Sequence, residues 1–326
     1  MFKIPTVLTA DELIDKAFRK ASRVTVTGKS RIDLIRKKNT AKISSVSDSV
    51  SSTLRRYVKR FPSIDNLPPF YLEMVDLLIG ADQLKKSLGA ANWCASQVTR
   101  LSHSASSKIR RSRSTVDIDG FRSKFYGRTS SLVKQIGGDL VFLGEARNRI
   151  KMMPTIDPTM RTIVVAGAPN VGKSQLVAAI STARPKVASY PFTTKEISVG
   201  ILELNREIYQ IIDTPGLLDR PIEDRNEIER RGILALRHLA NLVIFLVDPT
   251  GTCGYPVDYQ ESLLKSISEQ FPAAKILVVE NKADLSQSKS KRISVSALQE
   301  IGLDDLNNEI AELLSEIGQE ESSELT

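Results

Sequence analysis

Short segments of this chain hold the residue types needed to grip a nucleoside triphosphate. GAPNVGKS at 167–174 has the spacing G-x-x-x-x-G-K-[ST], with the apolar run RTIVVAG before it and an apolar-periodic segment after it. Glycine at 167 and 172 lets backbone N–H groups turn inward and cradle phosphate oxygens at a helix N-terminus. The expected cradle is therefore Gly167, Ala168, Pro169, Asn170, Val171, Gly172, Lys173, Ser174 and Gln175. Lys173 supplies charge to the β- and γ-phosphates, and the Ser174 hydroxyl can ligate Mg²⁺. DTPG at 213–216 ends another apolar run. Asp213 can hold the Mg²⁺ shell there, Thr214 and Pro215 make the turn, and the Gly216 N–H faces the γ-phosphate. FTTK at 192–195 lies where a metal-binding threonine is expected, with Thr194 as first choice and Thr193 as second. Lys173, Thr194, Gly216 and Asn170 are the candidate catalytic contacts.

NKAD at 281–284 and SVSA at 294–297 each close a strand-like run. Asp284 can accept from both the ring N–H and the exocyclic amine of guanine, a pair of donors that adenine lacks. Asn281 can buttress the loop, the Lys282 stem can cover the base plane beside Ala283, and a backbone N–H around Ser296 and Ala297 falls near guanine O6. GTP and GDP are the implied ligands. One position departs from this pattern of polar groups: the residue after Gly216 is Leu217, which can neither donate nor accept a hydrogen bond to an attacking water. Either the chain does not hydrolyse nucleotide, or another group positions the water.

These segments need a scaffold of strands. RTIVVAG (161–167), ISVGILEL (197–204), EIYQIID (207–213), NLVIFLVD (241–248), KILVVEN (275–281) and RISVS (292–296) read as strands, with helices at 174–182, 224–239, 257–270 and 304–316. Such alternation predicts a mostly parallel sheet with helices on both faces. Asn205-Arg206 is too short for a crossover, so the strands it joins should be antiparallel.

The first half reads differently. Thr9 and Glu12 form a capping box ahead of Leu13, Ile14 and Ala17. A helix is expected near 29–60, interrupted by the prolines of FPSIDNLPPF (61–70), then one apolar face from about 70 to 112, and a last helical stretch from 118 to 151. The expectation is a two-domain chain: an all-α bundle of about four helices (1–158), a P-loop domain with a mostly parallel sheet flanked by helices (159–318), and an acidic frayed tail (319–326). Trp93 should pack between helices. Tyr57 and Phe61 suit either the core or base stacking.

The net charge of +8 is unevenly spread. Residues 1–160 carry 29 Lys/Arg against 14 Asp/Glu, a net +15, while residues 161–326 carry 17 against 24, a net −7. That asymmetry points to nucleic-acid contact by the basic half or to a solvated basic surface. The basic clusters are RKKN with Arg36, Lys37 and Lys38; RRYVKR with Arg55, Arg56, Lys59 and Arg60; and KIRRSR with Lys108, Arg110, Arg111 and Arg113. Cys94 and Cys253 are far apart with no metal-ligand spacing, which argues against a disulfide framework and for a reducing, cytoplasmic setting. Charges near the N-terminus leave no secretory apolar region, and the longest apolar run, LVIFLV at 242–247, is too short to span a bilayer.

The motifs G-x-P-N-V-G-K-S, Y-P-F-T-T, D-T-P-G-L and N-K-A-D resemble those of the Obg-like GTPases. Within that group PFTTKEISVG (191–200), IIDTPGLLDRPIEDRNEIE (211–229) and DPTGTCGYPVDYQ (248–260) are similar to the Nog-type nucleolar GTP-binding proteins, as is LPPFYLEMVDLLIGADQLKKSLGAANW (67–93) to their helical N-terminal domain. The long basic C-terminal extension of nucleolar members has no counterpart here, which suggests a compact, archaeal-like form. The segment between NKAD and RISVS is short, so the usual helix there should shrink to a turn.

The resemblance implies a GTPase acting on precursors of the large ribosomal subunit. Its helical domain would contact ribosomal RNA, with assembly factors as further partners and no membrane or DNA. It also makes an apolar residue after DTPG ordinary, and so implies slow hydrolysis alone. Catalytic groups would come from a potassium ion held by Asn170, unless that residue only hydrogen-bonds within its loop, from Asp219, Arg220, Glu223 and Arg225, or from the ribosomal particle. A non-enzymatic, GTP-gated RNA placeholder and a regulatory GTPase with a protein partner remain open alternatives.

Overall fold

The structure, a computed structural model, describes residues 3–190, 196–221, 223, 225–285 and 290–324. The chain divides into two compact units, one of residues 1–67 and 78–151 and the other of residues 68–77 and 152–326.

The first unit is helical. Helix α1 (Ala10–Ser22) starts at the expected capping box, the Thr9 side chain accepting from the Glu12 N–H while Glu12 accepts from the Thr9 N–H. Helix α2 (Arg31–Arg60) is capped by Ser30 and buries Ile43, Val46, Val50, Leu54 and Tyr57 along one stripe. After a 3-10 turn at Ile64–Asn66 come α3 (Pro69–Ile79) and α4 (Ala81–Arg111). The single face expected over 70–112 is thus two helices. The break is Gly80, whose φ of +86° is outside the right-handed helix and open to glycine at little cost. The stretch expected over 118–151 is likewise two helices, α5 (Thr115–Gln135) and α6 (Gly137–Lys151), parted at Ile136. Helix α4 packs on α2, α5 and α6, and its buried Ser87, Ala91, Cys94, Ala95, Ser102 and Ala105 are small enough for close approach. Tyr57 and Phe61 lie in the core, but Trp93 is 42% exposed and does not fill the interhelical space expected of it.

The second unit holds a seven-stranded sheet: β1 (Thr162–Gly167), β2 (Ala183–Ser189), β3 (Glu196–Leu204), β4 (Glu207–Asp213), β5 (Ala240–Val247), β6 (Lys275–Glu280) and β7 (Ile293–Ser294), in the order β2-β3-β4-β1-β5-β6-β7. Pairs β1–β4, β1–β5, β5–β6 and β6–β7 are parallel, whereas β2–β3 and β3–β4 are antiparallel. The β3–β4 turn is the expected two-residue hairpin, with Asn205 and Arg206 both at positive φ. Helices α7 (Lys173–Ile180), α8 (Glu227–Leu236), α9 (Val257–Gln270) and α10 (Leu303–Glu324) complete the domain. β1 is buried throughout and sits between β4 and β5, so the loop after it opens at the carboxyl edge where the connections diverge.

Strand β2 was not readable from its residues. Arg184, Pro185 and Lys186 break any apolar alternation, and the pairing with β3 shifts register between Ala183 and Lys186, as an edge strand with a proline tolerates. The tail expected to fray from 319 is helical through Glu324, within α10. By their contacts, residues 68–77 and 152–158 group with the sheet. The Tyr71 hydroxyl on α3 donates to the Ile156 carbonyl at 2.6 Å and accepts from its N–H. Gln210 on β4 exchanges two hydrogen bonds with the Asp157 backbone. No helix among the described residues is long and apolar enough to cross a membrane.

Candidate functional site

The loop between β1 and α7 has the backbone of a phosphate cradle. Gly167, Asn170 and Gly172 have φ of +139°, +61° and +101°. A Cβ at 167 would lie 2.5 Å from the Leu246 carbonyl oxygen, and one at 172 would strike the Asn281 amide, so both positions require glycine. Lys173 is only 7% exposed, and its Nζ donates to the carbonyls of Gly167 and Ala168, each at 2.8 Å. It is held across the mouth of the loop, where phosphate oxygens could replace those carbonyls. Ala168 and Val171 are buried, Pro169 is half-buried, and Ser174 and Gln175 are exposed at the start of α7. The Asn170 side chain points to solvent and makes no hydrogen bond to the described residues, so the loop-bonding role open to it is not the one adopted.

Asp213 ends β4 at 1% exposure. Burial raises its carboxyl above the ordinary value, partly offset by a hydrogen bond from Ser174 and the nearby Lys173 charge. Its Oδ1 has no hydrogen-bond partner among the described residues. A buried carboxylate oxygen left unpaired beside a hydroxyl is a costly arrangement for an empty pocket and a natural one for a hard cation. Among the described residues no group of three or more His, Cys, Asp or Glu could hold a metal. The two threonines proposed for that shell, Thr193 and Thr194, lie outside the described residues.

After Asp213, the Thr214 hydroxyl donates to the Val165 carbonyl at 2.8 Å, Pro215 makes the turn, and Gly216 takes φ +76°. Leu217 is 1% exposed and its N–H donates to the Thr214 carbonyl. The following carbonyl, of Leu218, accepts from the Gly167 N–H at 3.1 Å, tying this turn to the phosphate loop. Of the charged residues that could move in, Arg225 is buried: it donates to the Gly216 carbonyl at 2.9 Å and pairs with Asp219 at 2.9 Å. Arg220 reaches Glu229 at 3.8 Å, and Glu223 is exposed. Arg225 and Asp219 are therefore fastened to the turn itself.

The base-side loops meet at Asn281. Its amide nitrogen donates to the Val171 carbonyl at 2.8 Å and its amide oxygen accepts from the Ala297 N–H at 3.0 Å, so one side chain joins the phosphate loop to both base loops. Ser296 donates to Asp284 Oδ1 at 2.6 Å and leaves the other carboxylate oxygen open for a ligand. The Ala283 N–H is held by the Val295 carbonyl. Replacing Asn281 with Ala should weaken GTP and GDP alike by about tenfold to a hundredfold, since losing a buried partner costs roughly 1–3 kcal/mol. Titration calorimetry with each nucleotide checks this, and unequal losses would count against it.

One residue was missed. Asp248, fully buried at the end of β5, accepts from Lys282 Nζ at 2.7 Å, from the N–H groups of Thr250 and Cys253, and from the hydroxyls of Thr250 and Thr252. Burial pushes its carboxyl up, but these hydrogen bonds outweigh it and hold the value at about 2. The Lys282 head, also hydrogen-bonded to Thr252, is thereby fixed with its stem over the loop. Gln260 on α9 brackets Asp248, accepting from its N–H and donating to its carbonyl. The available signal was DPTGTCG, which has aspartate at a strand end followed by threonines and glycines that suit a tight polar loop.

Comparison with known proteins matches two families along the chain. Residues 2–157 match the family described as the NOG1 N-terminal helical domain, and residues 162–282 match the family described as 50S ribosome-binding GTPase. An uncharacterized protein of Methanocaldococcus jannaschii is 40% identical over 287 residues, covering 87% of this chain and 80% of that protein. The nucleolar GTP-binding protein 1 of Saccharomyces cerevisiae is 32% identical over 86% of this chain and 44% of its own length. The chain belongs to the nucleolar GTP-binding protein 1 family. A Plasmodium falciparum crystal structure described as a nucleolar GTP-binding protein 1 is 36% identical and covers 53% of this chain and 95% of that one, with a TM-score of 0.48. The chain spans under half the length of the nucleolar members of the family that it matches. Residues 162–282 are a GTPase domain.

In this family member residues of the basic clusters line two grooves of the helical unit. Arg36 and Lys37 of α2 line one groove with Lys20 and with Arg110 of α4, joining residues that are 73 or more positions apart in sequence. Arg36 is partly committed there, donating twice to the Ser112 carbonyl, and Lys37 pairs with Asp33 at 3.0 Å. Arg55, Arg56, Lys59 and Arg60 surround a second groove near the end of α2. Lys38, Lys108, Arg111 and Arg113 are exposed.

Proposed function

We propose that this protein is a GTP-binding factor in assembly of the large ribosomal subunit, which hydrolyses GTP slowly alone and faster on its ribosomal target. The observation that carries this reading is Leu217. A site supplied with a phosphate loop, a carboxylate for a cation and a base pocket has a buried, non-polar side chain where a water-orienting group would act. Arg225 and Asp219, the nearest charged candidates, are already engaged in the turn.

The chemistry follows from the placement of the groups. Lys173 would neutralise phosphate charge, and the Gly216 N–H would meet the γ-phosphate. Asp213 and Ser174 would hold Mg²⁺, which would supply charge neutralisation for the phosphates. Asn170, exposed and without a hydrogen bond among the described residues, would bring in a potassium ion. The basic helical unit supports contact with ribosomal RNA, whose phosphates would be met by the two grooves.

Single-turnover GTP hydrolysis in potassium buffer, with and without purified large-subunit precursor particles, tests the proposal. Acceleration by a factor of roughly 10³ or more, the range a supplied catalytic group gives, is the expected result. Unchanged hydrolysis with nucleotide still bound would instead favour a GTP-gated placeholder.

A further inference from the structure

A third cavity in the helical unit, of about 470 Å³, is distinct from both basic grooves. It lies between α4 and α5. On α5, Phe121, Lys124, Phe125 and Arg128 follow at i, i+3, i+4 and i+7, which places all four on one face. On α4, Ala105 and Lys108 lie one turn apart on the opposing face. Phe125 is buried and forms floor, whereas Phe121 is half-buried at the rim with Lys108 Nζ 6.0 Å from its ring centroid. No acidic residue lines the cavity, and none of Lys108, Lys124 and Arg128 pairs with a carboxylate among the described residues.

Three unneutralised cations around one aromatic-lined hollow repel each other, and an anionic ligand with a flat apolar face would relieve that repulsion. We infer that this cavity takes one unstacked nucleotide of single-stranded RNA, the base lying against Phe121 and the flanking phosphates meeting Lys108, Lys124 and Arg128. The size suits it, since sites for small ligands start at roughly 300 Å³. Lys124 and Arg128 are separated by about 6 Å of helix rise, the scale of one step along a single strand's phosphates. Unstacked bases held on aromatic rings between cations are the usual way proteins read single-stranded RNA.

The inference rests on the helical unit contacting RNA, and its test separates the two claims. Equilibrium binding of the full chain to a labelled single-stranded oligouridylate, and to an abasic oligomer of equal charge, is measured across salt concentrations. Phe121→Ala should weaken the oligouridylate roughly tenfold, leave the abasic oligomer unchanged and keep the salt slope, whereas Phe121→Trp should retain binding. Lys124→Gln with Arg128→Gln should flatten the salt slope by about 1.4, at about 0.7 per phosphate lost. If Phe121→Ala has no effect while Arg55→Gln with Lys59→Gln weakens binding, the cavity assignment fails and the RNA reading survives. If no variant binds RNA better than a simple polycation competitor does, both fail. Tighter occupation by an acidic aromatic peptide than by the oligouridylate would overturn the assignment in favour of a protein partner.

Discussion

Replacing Asp213 with Asn is expected to remove Mg²⁺-dependent GTP hydrolysis while leaving the nucleotide-free protein no less stable. The first half follows from the proposed role of the carboxylate as a cation ligand. A bound metal contributes several kcal/mol to phosphoryl transfer, and about 1.4 kcal/mol is a factor of ten, so a loss of roughly 10³ in the single-turnover rate is anticipated. The second half follows from burial. The Asp213 carboxyl sits above its ordinary value of 3.8 because it is desolvated, and Oδ1 is unpaired among the described residues. A carboxyl whose value is raised on folding destabilises the fold at pH above that value and ceases to do so as pH falls through it. The neutral amide never bears this cost. Calorimetric melting without nucleotide or Mg²⁺ at neutral pH should therefore place the variant at or above the unsubstituted protein, with the gap closing in acid. A variant that melts well below it would show that Asp213 serves the fold rather than the ligand, and the metal assignment would fall with it.

Residues that act locally were readable in the sequence, and those that act through tertiary placement were not. Strands such as β1 and β5 are buried on both faces and announce themselves as unbroken apolar runs. The loop after β1 has rigid spacing because positive φ and close approach require glycine at 167 and 172. By contrast β2 is an edge strand with a proline and exposed Val187, so no pattern marks it. Gly80 was visible but only its positive φ shows that it parts two helices. Residues 68–77 read as part of the helical half because they are helical. Their grouping with the sheet depends on contacts such as Tyr71 to Ile156, 85 positions away. Asp248 reads as an ordinary loop aspartate until the 34-residue separation from Lys282 is closed by the sheet.

Arg225 shows the same limit with a larger consequence. As a sequence it offered a mobile cation near the γ-phosphate, but its side chain is 1% exposed and occupied. One guanidinium nitrogen holds the Gly216 carbonyl and another holds Asp219, so the peptide after the glycine is clamped in one orientation. If the Gly216 N–H meets the γ-phosphate as proposed, the clamp should matter to GTP and not to GDP. Arg225→Ala is expected to cost about 3 kcal/mol of fold stability, the lower end for breaking a buried pair, since the Asp219 side chain keeps 13% exposure. GDP affinity should change by no more than about twofold, while single-turnover hydrolysis of GTP falls by roughly tenfold or more, one lost charge-assisted contact being worth about 1.5–3 kcal/mol. Arg225→Lys should recover the fold in part but not the rate, because a single ammonium cannot span both acceptors as the planar fork does. Equal losses for GDP and GTP would reduce Arg225 to a structural residue. A rate that rises in Arg225→Ala would reverse its role, because the clamp would then be what keeps this turn from reaching its reactive geometry and release of Arg225 would be the step that the ribosomal target supplies.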